Sequence, residues 1–199
     1  CIGCGLGMGP HSEELLKKVL ENNKTPAVID ADGLNLLAKT DEWGIEQIRM
    51  NPSGYVLTPH MKEMSRLTRY SVQELKDNRR ELLRKYTEKV HAVCVLKDSR
   101  TLVKAPEGRL MINTTGNAAM AKAGSGDVLA GMITGLMAQH MRPDDAAVLG
   151  VYLHGLCGDH ARKELGSYSV LAGDLLKMLG RTLKAVSYTH LTLPTNSLV

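Results

Sequence analysis

The 199-residue sequence lacks a long apolar run, a cysteine framework and a strong excess of either charge. Its longest strongly apolar stretch, Val128 to Ala138, is shorter than the about 20 residues that a membrane-spanning helix needs, so we expect no membrane span. The net charge of +4 is too small to predict nucleic-acid binding, although it suits an anionic ligand. With 43% hydrophobic and 23% charged residues, the composition excludes a disordered or fibrous protein and predicts one good-sized globular domain.

The four cysteines are too few for a disulfide scaffold and favour a reducing compartment, which for this chain we expect to be the cytoplasm. Cys1 and Cys4 have the C-x-x-C spacing of half a zinc site or a redox pair, but no second pair exists. Cys94 and Cys157 stand alone in apolar runs. We therefore favour the interpretation that all four are small buried thiols.

The two ends of the sequence look unlike the ends of a complete domain. The chain opens at Cys1 on a strand end and a glycine turn, Ile2 to Gly7, which we interpret as the inside of a domain that lacks its N-terminal part. The segment from Ser187 to Val199 has no charged residue and no helical period. We interpret it as a non-native tail, with a native edge strand as the alternative, and assign residues 1–186 to one truncated domain.

Between the ends, strands alternate with helices. Short buried strands are predicted at Pro26–Asp30, Tyr55–Leu57 and Val90–Leu96, and a hairpin at Thr101–Ala105 and Arg109–Thr114. Helices are predicted after a Ser12 cap, after a capping box of Ser71 and Glu74, and over 127–139, 144–165 and 169–179. This alternation predicts an α/β domain with a mainly parallel sheet, in which ligands bind at the carboxyl ends of the strands.

The strongest motif is the run of small residues from Asn117 to Gly126, which leads into a helix beginning with Asp127-Val128-Leu129. Such a turn offers backbone N–H groups and a helix dipole to an anion, typically a phosphate. A carboxylate there would repel the anion, but Asp127 makes sense as a base that takes a proton from a hydroxyl attacking a phosphoryl group. The alternative is an N-cap on a tight turn. No P-loop motif occurs, and Gly3-x-Gly5 is not followed by the glycine that the dinucleotide fingerprint needs.

Several polar residues at strand ends have two interpretations each. His60 could donate to a diphosphate or amide, or be a surface histidine, and Lys97 could reach a phosphate, although a solvated lysine is the commoner case. Asp30 and Asp32 could hold Mg²⁺ through water, or belong to a turn. Asn35 is a further polar candidate without a derived role.

Two pairs in the helical regions look structural. His154 and His160 are six residues apart, so on a helix they do not share a face, which argues against a metal pair. Gly131 and Gly135 are interpreted as sites of close packing in the core.

Taken together, Asn117 to Leu129, Asp30-Ala31-Asp32-Gly33-Leu34-Asn35 and Thr58 to Met64 resemble the ADP/ATP-dependent NAD(P)H-hydrate dehydratases of the ribokinase-like superfamily. The resemblance covers Ile2 to about Lys184 and implies a three-layer α/β/α fold with a mainly parallel sheet. It also implies an activity. A nucleotide phosphorylates the ring hydroxyl of the S form of hydrated NADH or NADPH, and loss of phosphate restores the double bond.

The resemblance assigns residues to roles. Asp127 is the catalytic base and also lies at the substrate. The nucleotide-binding residues are Lys97, Asp98, Ser99, Arg100, Thr101, Asn117, Ala118, Ala119, Met120, Ala121, Lys122, Ala123, Gly124, Ser125 and Gly126. The other substrate-binding residues are Gly5, Gly7, His60, Met61, Lys62, Glu63, Met64, Ser65 and Arg66. Asp98 stands where the family's Lys-Gly-x-x-Thr segment has glycine.

The resemblance further implies Mg²⁺ and ADP or ATP as cofactors, a homo-oligomer, and an epimerase domain upstream in bifunctional members. Because strands of the substrate side would be missing, we expect the chain expressed alone to be unstable or inactive. Two other functions remain open. One is a ribokinase-like kinase that stops at a phosphorylated vitamin precursor or sugar, and the other is a nucleotide-binding scaffold without catalysis.

Overall fold

The computed structural model describes residues 1–191, which form eight α-helices, five strands and one short 3₁₀ helix. The helices are α1 (Pro10–Asn22), α2 (Ala31–Leu37), α3 (Asp41–Met50), α4 (Met61–Thr68), α5 (Val72–Val90), α6 (Ser125–Ala138), α7 (Pro143–Leu165) and α8 (Ala172–Leu191). The strands are β1 (Ala27–Ile29), β2 (Tyr55–Leu57), β3 (Val93–Leu96), β4 (Leu102–Lys104) and β5 (Leu110–Ile112), and the 3₁₀ helix is Ala118–Met120.

The strands form one mixed sheet in the order β1-β2-β3-β4-β5. Strands β1, β2 and β3 are parallel, and a further parallel bridge joins Ile2 to Ile29 beside β1. The predicted hairpin is confirmed, since β4 and β5 pair antiparallel with each other and β4 pairs antiparallel with β3. The carboxyl ends of the three parallel strands therefore meet at one edge of the sheet, where polar residues follow each strand.

Helices cover both faces of the sheet, which confirms the predicted three-layer α/β/α fold. Alternate strand residues such as Ile29, Leu57 and Leu96 pack with the helices α1 to α5 in one core. Their neighbours Val28 and Val56 face the other side and pack with α6 and α7 in a second core. Strands β1 to β4 are thus largely buried on both faces, as is usual for the parallel part of an α/β sheet, whereas the edge strand β5 exposes Met111 and Ile112.

Several local predictions are confirmed and several are wrong. The Ser71–Glu74 capping box is present, with Ser71 N–H donating to Glu74 Oε2 at 2.8 Å and Glu74 N–H to Ser71 Oγ at 3.2 Å. Ser12 is not a cap, because α1 begins earlier, at Pro10, and the Ser12 hydroxyl donates to the Leu6 carbonyl. Three short helices, α2, α3 and α4, were not predicted. Val90 ends α5 and does not begin β3.

The predicted close packing of Gly131 and Gly135 is wrong. Both glycines are exposed on α6, and a Cβ built at either position would have open space around it. Their place in the helix therefore needs another explanation, and nothing in the structure supplies one.

The predicted tail falls largely outside the described residues. Helix α8 continues to Leu191, so its last turn includes the first residues of the segment that begins at Ser187. Residues 192–199 lie outside the described residues, and the assignment of 187–199 to a non-native tail stays a prediction. Among the helices of the described part of the chain, none is long and apolar enough to cross a bilayer.

Candidate active site

The carboxyl edge of the parallel strands carries a buried ion pair. Asp30 directly follows β1 and is only 1% exposed, and its Oδ1 lies 2.6 Å from the ammonium Nζ of Lys97, which follows β3. Lys97 is held at this place by its backbone, since its N–H donates to the Pro59 carbonyl at 2.8 Å beyond β2. A parallel bridge between His60 and Lys97 extends the sheet by one residue. Lys97 is therefore not the solvated lysine of the sequence-based alternative.

A second carboxylate faces the same ammonium. Glu63, in the first turn of α4, is 5% exposed, and its Oε2 lies 3.9 Å from Lys97 Nζ. The same carboxylate accepts the His60 N–H at 2.8 Å, while His60 Nδ1 accepts the Glu63 N–H at 3.1 Å. His60 is thus the N-cap of α4 in a reciprocal capping box, and its ring remains about half exposed beside the site.

The N-terminus of α6 approaches this ion pair. Gly124 is the N-cap, with a left-handed φ of +84°, and Ser125 begins the helix. A Cβ built on Gly126 would lie 3.5 Å from Lys97 Nζ and 3.8 Å from Asp30 Oδ2, so the first turn of α6 lies directly against the ion pair. The first N–H groups of a helix have no helical acceptor and carry a partial positive charge, which favours an anion here.

Asp127 is the third residue of α6 and is exposed to solvent. Because the N-cap is Gly124, the alternative that Asp127 is an N-cap is wrong. One carboxylate oxygen of Asp127, one of Asp30 and the Cys4 sulfur all lie within 4.8 Å of one another. The predicted base thus stands at an open surface beside the anion-favouring helix terminus.

Cys4 brings a thiol into this group. Its Sγ lies 3.9 Å from Asp30 Oδ2, and partial burial together with the charges of Asp30 and Asp127 raises the thiol pKa to about 11. Cys1 and Cys4 are both exposed, so the prediction of buried thiols is wrong for them and is confirmed for Cys94 and Cys157. Of the two cysteines with C-x-x-C spacing, Cys4 is therefore the one that lies in the site.

The glycine turn at the start of the chain packs against α2. Gly3 has φ of +123°, and a Cβ there would lie 1.8 Å from the Asp30 carbonyl oxygen, so the turn requires glycine. Gly7 N–H donates to Asp32 Oδ2 at 2.8 Å. Asp32 therefore holds the turn, and the carboxylate that joins Asp30 in the three-residue cluster is that of Asp127.

The remaining substrate candidates divide by burial. Met64 is fully buried in the core and Met61 packs against it, so their side chains anchor α4. Lys62 and Arg66 are exposed, and Arg66 Nη1 donates to Asn35 Oδ1 at 2.8 Å. Ser65 Oγ donates to the Tyr70 carbonyl. The substrate roles assigned by resemblance to these residues stay predictions.

The segment after Lys97 forms the loop between β3 and β4. Asp98 pairs with Arg79 at 3.0 Å, and its carbonyl accepts the Thr101 hydroxyl at 3.2 Å. Asp98 is not among the residues with a positive φ, so an aspartate fits where the family pattern has glycine. Ser99 and Arg100 are exposed, as a loop that meets a ligand requires.

Sequence reasoning missed two residues of α7 that contact the small-residue run. Asp159 accepts the Gly116 N–H at 2.9 Å and the Asn117 Nδ2 at 2.8 Å, and His154 Nε2 lies 3.3 Å from Ser125 Oγ. Burial lowers the pKa of His154 to about 4, so the imidazole is neutral near pH 7. The only sequence signal was the pattern His-Gly-x-x-Gly-Asp at 154–159.

Known proteins resemble this chain along most of its length. Residues 1–181 match a family model described as NAD(P)H-hydrate dehydratase. The chain is 44% identical over 183 residues to a bifunctional NAD(P)H-hydrate repair enzyme Nnr of Moorella thermoacetica, which covers 92% of this chain and 34% of that protein. It is 39% identical over 183 residues to an ADP-dependent (S)-NAD(P)H-hydrate dehydratase of Bacillus subtilis, covering 92% of this chain and 63% of that protein.

A solved structure is similar over the same region. The ADP/ATP-dependent NAD(P)H-hydrate dehydratase from Bacillus subtilis, co-crystallised with ATP/Mg²⁺, superimposes with a TM-score of 0.78 at 33% identity, covering 91% of this chain and 62% of that one. A ribokinase from Thermotoga maritima, with a TM-score of 0.52 at 16% identity, supports the fold alone. The chain spans about a third of the bifunctional relatives and less than two thirds of the single-function ones.

Proposed function

The chain belongs to the NAD(P)H-hydrate dehydratase family, and on that premise we propose that it carries the nucleotide and phosphoryl-transfer site of such an enzyme. The proposed reaction is the nucleotide-dependent dehydration of the S form of hydrated NADH or NADPH. It belongs to metabolite repair and is a carbon–oxygen lyase reaction overall. The observation that supports it best is that Asp127 and the α6 N-terminus lie beside the Asp30–Lys97 ion pair.

The reaction needs a base and an anion site next to each other. Asp127 takes the proton from the ring hydroxyl as the hydroxyl oxygen attacks the terminal phosphorus of ATP or ADP, and the nucleotide leaves one phosphate shorter. The carbon–oxygen bond then breaks, pushed by the lone pair of the ring nitrogen, and phosphate departs because it is a better leaving group than hydroxide. Loss of a ring proton restores the double bond.

The described residues divide this work by position. The N–H groups at the start of α6 hold the transferred phosphoryl group, and the Lys97 ammonium, whose charge is offset by Asp30 and Glu63, lies beside it. Asp127 is exposed in the first turn of the helix, where a bound alcohol can reach it. The Lys97 ammonium is held by Asp30 at 2.6 Å, so it is already in position before a ligand binds.

Mg²⁺ fits the carboxylates of this edge. Asp30 and Asp127 present oxygens close to each other, and magnesium favours one or two carboxylates with water and phosphate oxygens. The nearby Cys4 sulfur is a soft donor that Mg²⁺ would not use. We propose that Asp30 and Asp127 hold the ion through water. When bound, it would neutralise charge on the phosphates.

The rest of the proposal follows the family resemblance. The nucleotide, ADP or ATP, contacts the loop 97–101 and the run 117–126, and the hydrated cofactor contacts Gly5, Gly7 and the segment 60–66. We also propose a homo-oligomer in the cytoplasm, with an epimerase domain in the same polypeptide when the protein is bifunctional.

The test is the substitution Asp127→Asn. The protein is incubated with hydrated NADH and ADP or ATP, and recovery of the reduced nicotinamide absorbance is followed. We expect D127N to lose on the order of 10²–10⁴ in rate, the usual effect of removing a general base. The matched control is Asp145→Asn, an exposed carboxylate of α7 outside this site, which should keep full activity.

Two outcomes would contradict the proposal. A stable phosphorylated product without recovered absorbance would indicate a kinase instead. Activity that D127N leaves unchanged would remove Asp127 as the base. Calorimetric titration of the same protein with ADP tests nucleotide binding separately from turnover.

A further inference from the structure

One face of α7 carries the four residues of the pattern His154-Gly155-x-x-Gly158-Asp159. Because residues four apart lie above one another on a helix, His154 stands over Gly158 and Gly155 over Asp159. All four contact the segment that runs from residue 115 to the first residue of α6. This segment includes most of the proposed nucleotide site.

Asp159 fixes the beginning of the segment. Its Oδ2 accepts the Gly116 N–H at 2.9 Å and its Oδ1 accepts the Asn117 Nδ2 at 2.8 Å. Asn117 in turn accepts the Ala119 N–H at 3.0 Å and caps the 3₁₀ helix. Gly116 has φ of +94°, a conformation that favours glycine and needs a partner to hold it. A single carboxylate thus orients two successive residues and, through Asn117, a third.

His154 fixes the end of the segment. Its Nε2 lies 3.3 Å from the hydroxyl of Ser125, and both residues are only 9% exposed. Ser125 is the first residue of α6, so its orientation sets the N–H groups that face the proposed phosphoryl group. Burial, with a smaller contribution from the charge of Lys97, keeps the imidazole neutral. A neutral ring can bond the hydroxyl without adding a second cation behind the site.

The two glycines let the segment lie directly on the helix. A Cβ at Gly155 would lie 2.0 Å from Thr115 Oγ1 and 2.8 Å from the Thr115 backbone. A Cβ at Gly158 would lie 2.1 Å from the sulfur and 2.4 Å from Cγ of Met120. Larger residues would push the segment away, and both hydrogen-bonded anchors would then be out of reach.

From these contacts we infer that His154 and Asp159 are positioning residues of the nucleotide site. They hold the two ends of the segment 116–125 on α7, so the backbone groups that meet the nucleotide are already in place when it binds. The inference rests on the proposed function for the identity of the ligand. The anchoring itself is a property of the protein alone.

The experiment uses the full chain with four substitutions at the anchors: Asp159→Ala, Asp159→Asn, His154→Leu and His154→Gln. Matched controls change the same residue types elsewhere on α7. His160→Gln alters a histidine whose Nδ1 lies 2.9 Å from Thr182 Oγ1, and Asp145→Asn alters an exposed carboxylate. Each protein is titrated with ADP and MgCl₂ by calorimetry, and amide hydrogen exchange of the segment 116–125 is measured without nucleotide.

We expect D159A and H154L to weaken ADP binding about 10- to 100-fold, because each removes hydrogen bonds that orient the site. D159N should fall between D159A and the wild type, since an amide offers one acceptor to two donors. H154Q should recover part of the loss, because glutamine can still bond Ser125. Hydrogen exchange of Gly116 should speed up in D159A, and H160Q and D145N should behave as wild type.

Hydrogen exchange tests the anchoring of the segment, and ADP binding tests the proposed function. Unchanged exchange of the segment in D159A and H154L would overturn the anchoring, whatever the nucleotide does. Equal losses in H160Q or D145N would also overturn it, because the effect would then be general destabilisation. If wild type fails to bind ADP while the anchor variants still release the segment, the proposed function fails and the anchoring stands.

Discussion

The buried ion pair predicts an asymmetric loss of stability. In Lys97→Met the Asp30 carboxylate stays 1% exposed without a cation, and its neighbours include the Cys4 thiol at 3.9 Å and the Asp127 carboxylate within 4.8 Å. Breaking a buried pair by removing one partner costs about 3–5 kcal/mol. Lys97 is 19% exposed, so water can reach the pair from its side, and we expect about 3 kcal/mol, the lower end of that range.

The opposite change should cost less. In Asp30→Asn, Lys97 keeps its solvent exposure and the Glu63 carboxylate at 3.9 Å, so we expect a loss of about 1 kcal/mol. In the double variant the Asp30 carboxylate is gone, and Glu63, which loses Lys97, still accepts the His60 N–H at 2.8 Å, so the free energy of unfolding should lie within about 1 kcal/mol of that of D30N. The two single losses should therefore not add.

The assay is urea unfolding of wild type, K97M, D30N and the double variant near pH 7. The control pair is Lys85 and Glu81, which are exposed and 3.2 Å apart, so K85M should change the free energy of unfolding by less than about 1 kcal/mol. The reasoning is refuted if D30N loses as much as K97M, or if the double variant loses the sum of the two.

Three further predictions concern other parts of the molecule. Burial lowers the pKa of His154 from 6.5 to about 4, so folded stability should fall as pH drops between those values. H154Q should remove that part of the slope, up to roughly 1.4 kcal/mol per pH unit, in urea unfolding at several pH values. Gly3→Ala should lower the free energy of unfolding by about 3 kcal/mol or more, because the new Cβ would lie 1.8 Å from a backbone oxygen. At Gly5 a Cβ meets no neighbour, so Gly5→Ala should cost about 1 kcal/mol, and thermal melts of the two variants compare these losses. In labelling with a maleimide near pH 7, Cys4 should react slowly for an exposed thiol because its pKa is about 11. Cys94 is buried and should react only after the protein unfolds, which peptide mass spectrometry would show. Rapid labelling of Cys94 in the folded protein would contradict the described core.

Elements with local signals could be predicted from the sequence. Strand β2 has the predicted bounds Tyr55–Leu57, because a short apolar run closed by polar residues is typical of a buried strand. The capping box before α5 and the hairpin around Gly108 are also local, since each depends on residues within a few positions of one another. Such signals survive without knowledge of the fold.

The short helices α2 and α4 carried no recognisable start signal. Helix α2 follows β1 directly, begins at Ala31 with a positive φ, and contains Gly33, which weakens a helical pattern. Helix α4 is capped by His60 with Glu63 in the capping-box position, and histidine is not among the residues that usually identify an N-cap. The formation of these two helices therefore depends on tertiary contacts.

The motifs of the candidate site could be predicted from the sequence, but the residues that position those motifs could not. Asp127 and the glycines before it stand in one run, so the sequence alone indicated a base next to an anion site. Lys97 pairs with Asp30 across 67 residues, and His154 reaches Ser125 across 29. A single sequence contains no signal for such distant pairs, because each partner alone looks like an ordinary polar residue.

The charges on the edge of the sheet explain why these positioning contacts matter for anion binding. The carboxylates of Asp30 and Glu63 face the Lys97 ammonium, and the Asp127 carboxylate lies close to Asp30, so the side chains alone would repel a phosphate. Affinity for an anion must then come from the oriented N–H groups of α6, which carry a positive potential only while their geometry is kept. A small rotation of Ser125 would weaken that potential without removing any charge. The neutral His154 behind Ser125 is therefore as relevant to anion binding as the charged residues in front.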